Sequence, residues 1–263
     1  MKNDKPLLYL VGTGPGSIDL LTPAARNALA ASSDLVAYGM YLDLLGDLTI
    51  GKQHHELALG EEVARARLAL NLAAEGKVTA LVSSGDIGIY AMAALVFELL
   101  DKQQQGLESS PQWLEVDIVV VPGISAMQAA ASKTGAILGH DFCTISLSDL
   151  LTPWQTIEKR IHSAGLADFV VSFYNPVSKK RNWQLNDARD ILLQYRPAAT
   201  PVIIGRQLSR EDEAISIIRL EDLDAEQVDM FTLVAVGNSE SKTVLCGQRQ
   251  WVYTPRGYAK KIQ

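Results

Sequence analysis

Cysteine is scarce in this chain: Cys143 and Cys246 are the only two among 263 residues, and they lie far apart with no C-x-x-C pair. That excludes a disulfide-stapled secreted scaffold and a thiolate metal site, and no metal is expected; two free thiols fit a reducing compartment. Long hydrophobic runs are missing as well. The longest, Ile89 to Phe97, falls far short of the roughly 20 residues that cross a bilayer. The apolar run Leu7 to Val11 is too brief for a signal-peptide core, so a cytoplasmic protein with no membrane partner is expected. There is no excess of positive charge: 24 Lys and Arg stand against 30 Asp and Glu, a net charge of −6. That balance argues against a nucleic-acid partner, which selects for a basic face.

What the chain does have is ordinary globular composition, 48% hydrophobic and 21% charged, and enough length for about two domains. Short β-rich runs alternate with helical patterns, the signature of an α/β fold with largely parallel strands. Strands are expected at 7–11, 34–37, 78–82, 116–121, 142–147, 169–173 and 201–205. Helices are expected at 22–32, 61–75, 88–100, 126–134, 154–164 and 179–195. Thr22 followed by Pro23 reads as an N-cap with proline at the first helical position, and Gly76 as a helix stop. The polar stretch Lys102 to Gln112 reads as a surface loop. Ala214 to Leu220 and Phe231 to Val236 leave little room for a helix between them, so an antiparallel element is expected there. The organisation expected is an N-terminal α/β domain over 1–120, a C-terminal one over 121–247 and an irregular tail over 248–263.

The run Gly12-Thr13-Gly14-Pro15-Gly16 directly after the first strand is the strongest local signal. Glycines there let backbone approach a ligand closely, and a strand-to-helix turn lies at the sheet edge where open α/β sheets bind ligands; a structural turn is the alternative. It is no dinucleotide fingerprint, because Ser17 stands where the third glycine is required and Pro15 removes an amide that a phosphate would use. Gly46 to Lys52 spells a phosphate-loop pattern but ends in Gln53 instead of Ser or Thr. His54-His55-Glu56 reads as polar surface, since adjacent side chains diverge. Ser125, in Gly123-Ile124-Ser125-Ala126, reads as a helix cap and not as a hydrolase nucleophile. Asp86, in Ser83-Ser84-Gly85-Asp86-Ile87-Gly88, either accepts from ribose hydroxyls or attracts a cation at the same sheet edge, or caps the helix that follows. Lys179, Lys180 and Arg181 place three cations in an expected first helical turn, where the macrodipole favours anions. Either they bind an anionic substrate or they are simply solvated.

In this order these loops resemble the tetrapyrrole methylase family, over about residues 7–240. The first signature is similar to Val11-Gly12-Thr13-Gly14-Pro15-Gly16 with Leu20-Leu21-Thr22, the second to Ser84-Gly85-Asp86-Ile87-Gly88-Ile89-Tyr90, and the third to Val121-Pro122-Gly123-Ile124-Ser125-Ala126. Leu138 to Phe142, Ser146 to Trp154, Phe173-Tyr174-Asn175-Pro176, Val228 to Thr232 and Gly237-Asn238-Ser239 resemble the branch that methylates C17 of the macrocycle. Ser84 and Ile87 depart from the commoner Gly-Gly-Asp-Pro loop, and Tyr174 stands where sister enzymes often carry methionine. The resemblance implies two α/β domains with mixed, largely parallel sheets, a cofactor cleft between them, and a homodimer. It implies S-adenosyl-L-methionine as cofactor, contacted by Pro15, Ser84, Gly85, Asp86, Ile89, Ser125, Ala126 and Tyr174. A tetrapyrrole polycarboxylate would meet Gly14, Lys179, Lys180 and Arg181. The reaction implied is methyl transfer to C17 with ring contraction in cobalamin biosynthesis. Candidates for the acid or base of contraction are His140, Asp141, Ser148 and Asp149, each of which could equally be a capping or internally bonded residue. The alternatives are a sister methylase acting at another ring carbon, such as C11, and a carrier without turnover.

Overall fold

The structure is a computed structural model that describes residues 6–178, 181–258 and 261. The chain divides into two compact units, Met1–Ser125 and Ala126–Gln263. The first unit runs β1 (Leu7–Gly12), α1 (Pro23–Ala31), β2 (Asp34–Ala37), α2 (Gly39–Asp43), β3 (Gln53–Glu56), α3 (Glu62–Ala74), β4 (Thr79–Ser83), α4 (Met92–Gln104) and β5 (Asp117–Val121). Its five strands pair in parallel in the order β3-β2-β4-β1-β5. Residues of β1 alternate between two cores: Leu8 and Leu10 pack with α3 and α4, Tyr9 and Val11 with α1. Helices on both faces explain why β4 is buried at every position.

The strand order makes a crevice. From β1 the chain crosses through α1 to β2 on one side, whereas from β4 it crosses through α4 to β5 on the other side. Connections that diverge between two neighbouring parallel strands open the sheet at their carboxyl ends, where ligands of such folds bind.

The second unit contains α5 (Ala126–Thr134), β6 (Gly135–Ala136), β7 (Phe142–Ser146), α6 (Trp154–Leu166), β8 (Val170–Tyr174), α7 (Gln184–Leu192), β9 (Pro201–Arg206), β10 (Ala214–Arg219), β11 (Thr232–Val236), β12 (Lys242–Cys246) and β13 (Arg249–Tyr253). Its main sheet has the order β10-β9-β11-β8-β7. Among the described residues its one parallel pair is β7 with β8; β11 inserts antiparallel between β8 and β9, and β10 pairs antiparallel with β9. The antiparallel element expected near 214–236 is therefore present. Six of the ten pairings among the described residues are parallel, so the fold is α/β with mixed, mostly parallel sheets.

Three expectations need correction. The stretch expected as an irregular tail from 248 opens with a strand: Arg249–Tyr253 lies between β12 and β6, anchored by fully buried Val252 and preceded by a turn at Gly247 with φ +62°. The helix expected from Lys179 starts at Gln184; Lys179 and Lys180 lie outside the described residues, and Ser178 and Arg181 bridge each other through backbone hydrogen bonds of 2.7 and 3.1 Å. The loop expected from Lys102 begins after Gln104, and Pro111–Glu115 forms a 3-10 turn because the Trp113 indole is buried there and donates to Asn71 Oδ1 at 2.7 Å. His54-His55-Glu56 is polar surface as expected: it lies on edge strand β3 with His54 and Glu56 exposed, and only His55 turns toward β2, its Nε2 2.8 Å from Oδ1 of buried Asp34.

Burial alone would raise the Asp34 carboxyl pKa, but hydrogen bonds with His55 and Ser33 and the charge of Lys77 hold it below its ordinary 3.8. A lowered folded-state value stabilises the fold above the unfolded value and loses that contribution as pH falls through the folded one. His55→Ala should cost about 1–3 kcal/mol at neutral pH. Urea titrations across pH should show that cost disappearing only below about pH 4; an equal cost at pH 2 would contradict the pairing.

Candidate functional site

Three chain segments meet at the carboxyl edge of the first sheet: those leaving β1, β4 and β5. Gly14 and Gly85 exchange backbone hydrogen bonds of 3.0 and 2.7 Å, and the Ser84 hydroxyl donates to the Gly14 carbonyl at 3.3 Å. Thr13 donates from both its amide and its hydroxyl to the Ser83 carbonyl. Asp86 ties in the third segment: Oδ1 accepts from the Gly88 amide at 2.8 Å and Oδ2 from the Gly123 amide at 3.1 Å. Thr22 caps α1 through the Ala25 amide, and its hydroxyl also donates to the Pro122 carbonyl at 3.3 Å.

Such close approach requires glycine at two positions. A Cβ on Gly12 would stand 2.8 Å from both the Gly123 nitrogen and the Gly85 oxygen, and one on Gly123 would stand 2.7 Å from the Gly12 carbonyl carbon and oxygen. Backbone atoms cannot rotate away as a flexible side chain can. Gly85, by contrast, has nothing within 4 Å of where its Cβ would be, so the tip of the second loop faces open space.

Asp86 thus bonds two amides of its own and the neighbouring loop. It does not cap the following helix, which starts six residues later at Met92. Pro15 is buried, Ile89 half-buried and Ser125 buried. The segments 12–21 and 83–90 contain no Lys or Arg, while they carry Asp19 and Asp86. With Pro15 also lacking an amide, the edge is poorly equipped for phosphate and suits a neutral or cationic ligand bearing hydroxyl donors.

In the second unit, β7 and β8 end side by side, Ser146 opposite Tyr174. The Tyr174 hydroxyl accepts from the Met127 amide at 3.2 Å, satisfying one of the donors that the start of α5 leaves without a helical partner; Ala126 opens that helix. Asn175 follows at φ +51°, a left-handed conformation that asparagine tolerates better than other non-glycine residues. Its Nδ2 donates to Ser146 Oγ at 3.0 Å, and that hydroxyl also accepts from the Ser148 amide at 3.3 Å. Asp149 Oδ2 accepts from Gln184 Nε2 at 3.2 Å, and Oδ1 lies 3.6 Å from Arg181 Nε. Arg181 itself is 8% exposed. Burial lowers its pKa from the ordinary value, and Asp149 works against that shift.

The four acid and base candidates do not converge. His140 and Asp141 precede β7, with the Asp141 amide donating to His140 Nδ1 at 2.8 Å; Ser148 and Asp149 follow the same strand. Five extended residues, at roughly 3.3 Å each, separate the two pairs by about 17 Å along the strand. Gly12, Gly123, Ser146, Asn175 and Gln184 were not among the expected site residues. Gly12 and Gly123 lie in the glycine motifs, the Asn175-Pro176 pair carries a turn signal and the Ser146 to Ser148 contact is local, but the contacts of Gly12 with Gly123, of Asn175 with Ser146 and of Gln184 with Asp149 join positions distant in sequence.

The first unit is a doubly wound parallel α/β unit whose switch point, the candidate ligand site of such a sheet, is built from glycine-packed backbone and a carboxylate. The chain belongs to the tetrapyrrole (corrin/porphyrin) methylase family, whose model matches residues 7–224. It is 44% identical over 261 residues to a precorrin-3B C(17)-methyltransferase of Sinorhizobium sp., covering 97% of this chain and 98% of the relative. It is also 44% identical over 252 residues to a probable cobalt-factor III C(17)-methyltransferase of Salmonella typhimurium, covering 96% of this chain and 99% of the relative. Among solved structures, the methyltransferase CobJ superposes with a TM-score of 0.86 at 39% identity, covering 95% of this chain and 99% of that one. No helix among the described residues is long and apolar enough to cross a membrane.

Gly123→Ala should destabilise the protein by about 1–3 kcal/mol, because the new methyl meets rigid backbone. Asp86→Ala leaves the Gly88 and Gly123 amides without their carboxylate and should cost a similar amount. Thermal denaturation checks both, and an unchanged Tm in either variant would show that the three segments are not held together in this way.

Proposed function

We propose that the protein transfers a methyl group from S-adenosyl-L-methionine to C17 of a precorrin-3B or cobalt-factor III macrocycle, with ring contraction, in cobalamin biosynthesis. The observation that carries this reading is the likeness to C17-methyltransferases over nearly the whole length of both chains, since it spans both units and not the cofactor loops alone.

The residues present suit the cofactor. It is a sulfonium cation with ribose hydroxyls, and the edge formed by Gly14, Pro15, Ser84, Gly85 and Asp86 is acidic and free of lysine and arginine. When bound, S-adenosylmethionine supplies an electrophilic methyl group for in-line displacement, a reaction to which a protein contributes mainly positioning. In this reading Pro15, Ser84, Gly85, Asp86 and Ile89 hold the cofactor, joined by Ser125, Ala126 and Tyr174. Asp86 has capacity for this: its two oxygens already accept from two amides, and an ionised carboxylate accepts about four hydrogen bonds. Gly14 contacts the macrocycle, and Lys179 and Lys180, outside the described residues, meet its carboxylates. Ser148 and Asp149 hold or deliver the proton that ring contraction moves; His140 and Asp141, at the far end of β7, are left to structural hydrogen bonding. The working form is a cytoplasmic homodimer with no nucleic-acid partner.

The test is to incubate the protein with S-adenosylmethionine and either precorrin-3B or cobalt-factor III, then record product mass and the methyl position by NMR. The reading expects one added methyl at C17 with at least one acceptor. No mass gain with either acceptor overturns it, and methylation at another carbon assigns the protein to a sister activity.

A further inference from the structure

We propose that Arg181 is a positioning residue that sets the loop carrying Ser148 and Asp149, and that it does not meet the macrocycle as its neighbours Lys179 and Lys180 do. The inference rests on the C17-methyltransferase reading, in which that loop supplies the acid or base. The observations are geometric. Arg181 Nη1 donates to two backbone carbonyls, Leu147 at 3.0 Å and Asn175 at 2.8 Å. Leu147 is the first residue after β7 and Asn175 the first after β8, so one nitrogen ties the exits of two adjacent strands. Its Nε lies 3.6 Å from Asp149 Oδ1, and Gln184 holds the other oxygen of that carboxylate.

Ser146 closes the same ring from the sheet side, because its hydroxyl accepts from both the Ser148 amide and Asn175 Nδ2. Beyond this clamp the loop is free of the core: Leu147 is fully buried, whereas Leu150 and Leu151 are 87% and 98% exposed. The carboxylate of Asp149 and the hydroxyl of Ser148 sit at the boundary between the fixed and the solvated parts.

Arginine is required for this geometry. Burying a guanidinium is costly unless its donors are used, and here Nη1 has two hydrogens for two carbonyls while Nε faces the carboxylate. A lysine ammonium lies one bond nearer the backbone than Nη1 and is a point donor without the fork, so it cannot reach both carbonyls and keep Asp149 in place.

The variants to compare are Arg181→Lys and Ser146→Ala, assayed beside the wild type with S-adenosylmethionine and the accepted macrocycle. Active sites are counted by calorimetric titration with S-adenosylhomocysteine. Per titrated site, Arg181→Lys is expected to lower kcat roughly 10-fold or more, with KM for the macrocycle within about 2-fold of wild type and cofactor affinity unchanged. Ser146→Ala deletes a single hydroxyl and leaves the fold intact; it is expected to show the same kcat-selective loss, about 3-fold. A raised macrocycle KM with kcat retained would make Arg181 a substrate contact and overturn the proposal. So would wild-type kcat per site in Arg181→Lys, or a Ser146→Ala enzyme indistinguishable from wild type where Arg181→Lys fails to fold. A wild type inactive on both macrocycles removes the function reading itself and the role of Arg181 with it, a result distinct from any defect confined to the variants.

Discussion

The first unit depends on one steric constraint, the contact of backbone against backbone where Gly12, Gly85 and Gly123 meet. Strands β4, β1 and β5 are neighbours in a parallel sheet, so the segments that leave them must pass through the same small region at its carboxyl edge. Side chains at Gly12 and Gly123 would push the segments apart, since the places their Cβ atoms would take are already occupied by main chain, including the Gly85 carbonyl oxygen. Once the segments touch, their amides and carbonyls can pair, and Asp86 accepts from the amides that remain. The segments themselves offer main chain, a serine hydroxyl and a carboxylate, and residues 12–21 and 83–90 contain no Lys or Arg. That composition selects against phosphates and favours a hydroxyl-bearing cation, which is how a constraint of packing becomes a preference for ligand.

The second unit meets a related problem with a side chain instead of glycine. There the exits of β7 and β8 are joined by Arg181 and Ser146, with Tyr174 reaching across to the start of α5. The clamp also fixes the loop that follows β7, through the Ser148 amide on Ser146 and the Asp149 carboxylate beside Arg181 and Gln184. The two edges thus differ in kind: one is packed from immobile backbone, the other places Ser148 and Asp149 beside a solvated loop.

Much of the fold was legible because it rests on local chemistry. Thr22 and Pro23 start α1, Gly76 ends α3, and the apolar runs of β1, β2, β4 and β9 are strands, each within a residue of its expected bounds. The crowding of β-type residues at 214–236 announced the antiparallel strands. The failures share a cause as well. Strand β3 is polar and lies at an edge, so no hydrophobic period marks it; β12 is exposed along its length, and its partner β13 was hidden in a stretch rich in arginine and aromatics. The late start of α7 follows from Arg181 turning inward, a contact 34 residues distant in sequence. The site divides in the same way. Glycine-rich loops were visible as motifs, but that Asp86 binds the Gly123 amide, or that β7 separates His140 and Asp141 from Ser148 and Asp149, belongs to tertiary structure that spacing does not encode.

The most direct test of the central claim is a crystal structure of the protein with S-adenosylhomocysteine. The account predicts the ligand in contact with the Gly14-Pro15 and Ser84-Gly85-Asp86 segments, its ribose hydroxyls within reach of the Asp86 carboxylate and the Gly12 to Gly123 contact unchanged. Ligand density elsewhere on the chain, with those segments uncontacted, would contradict it.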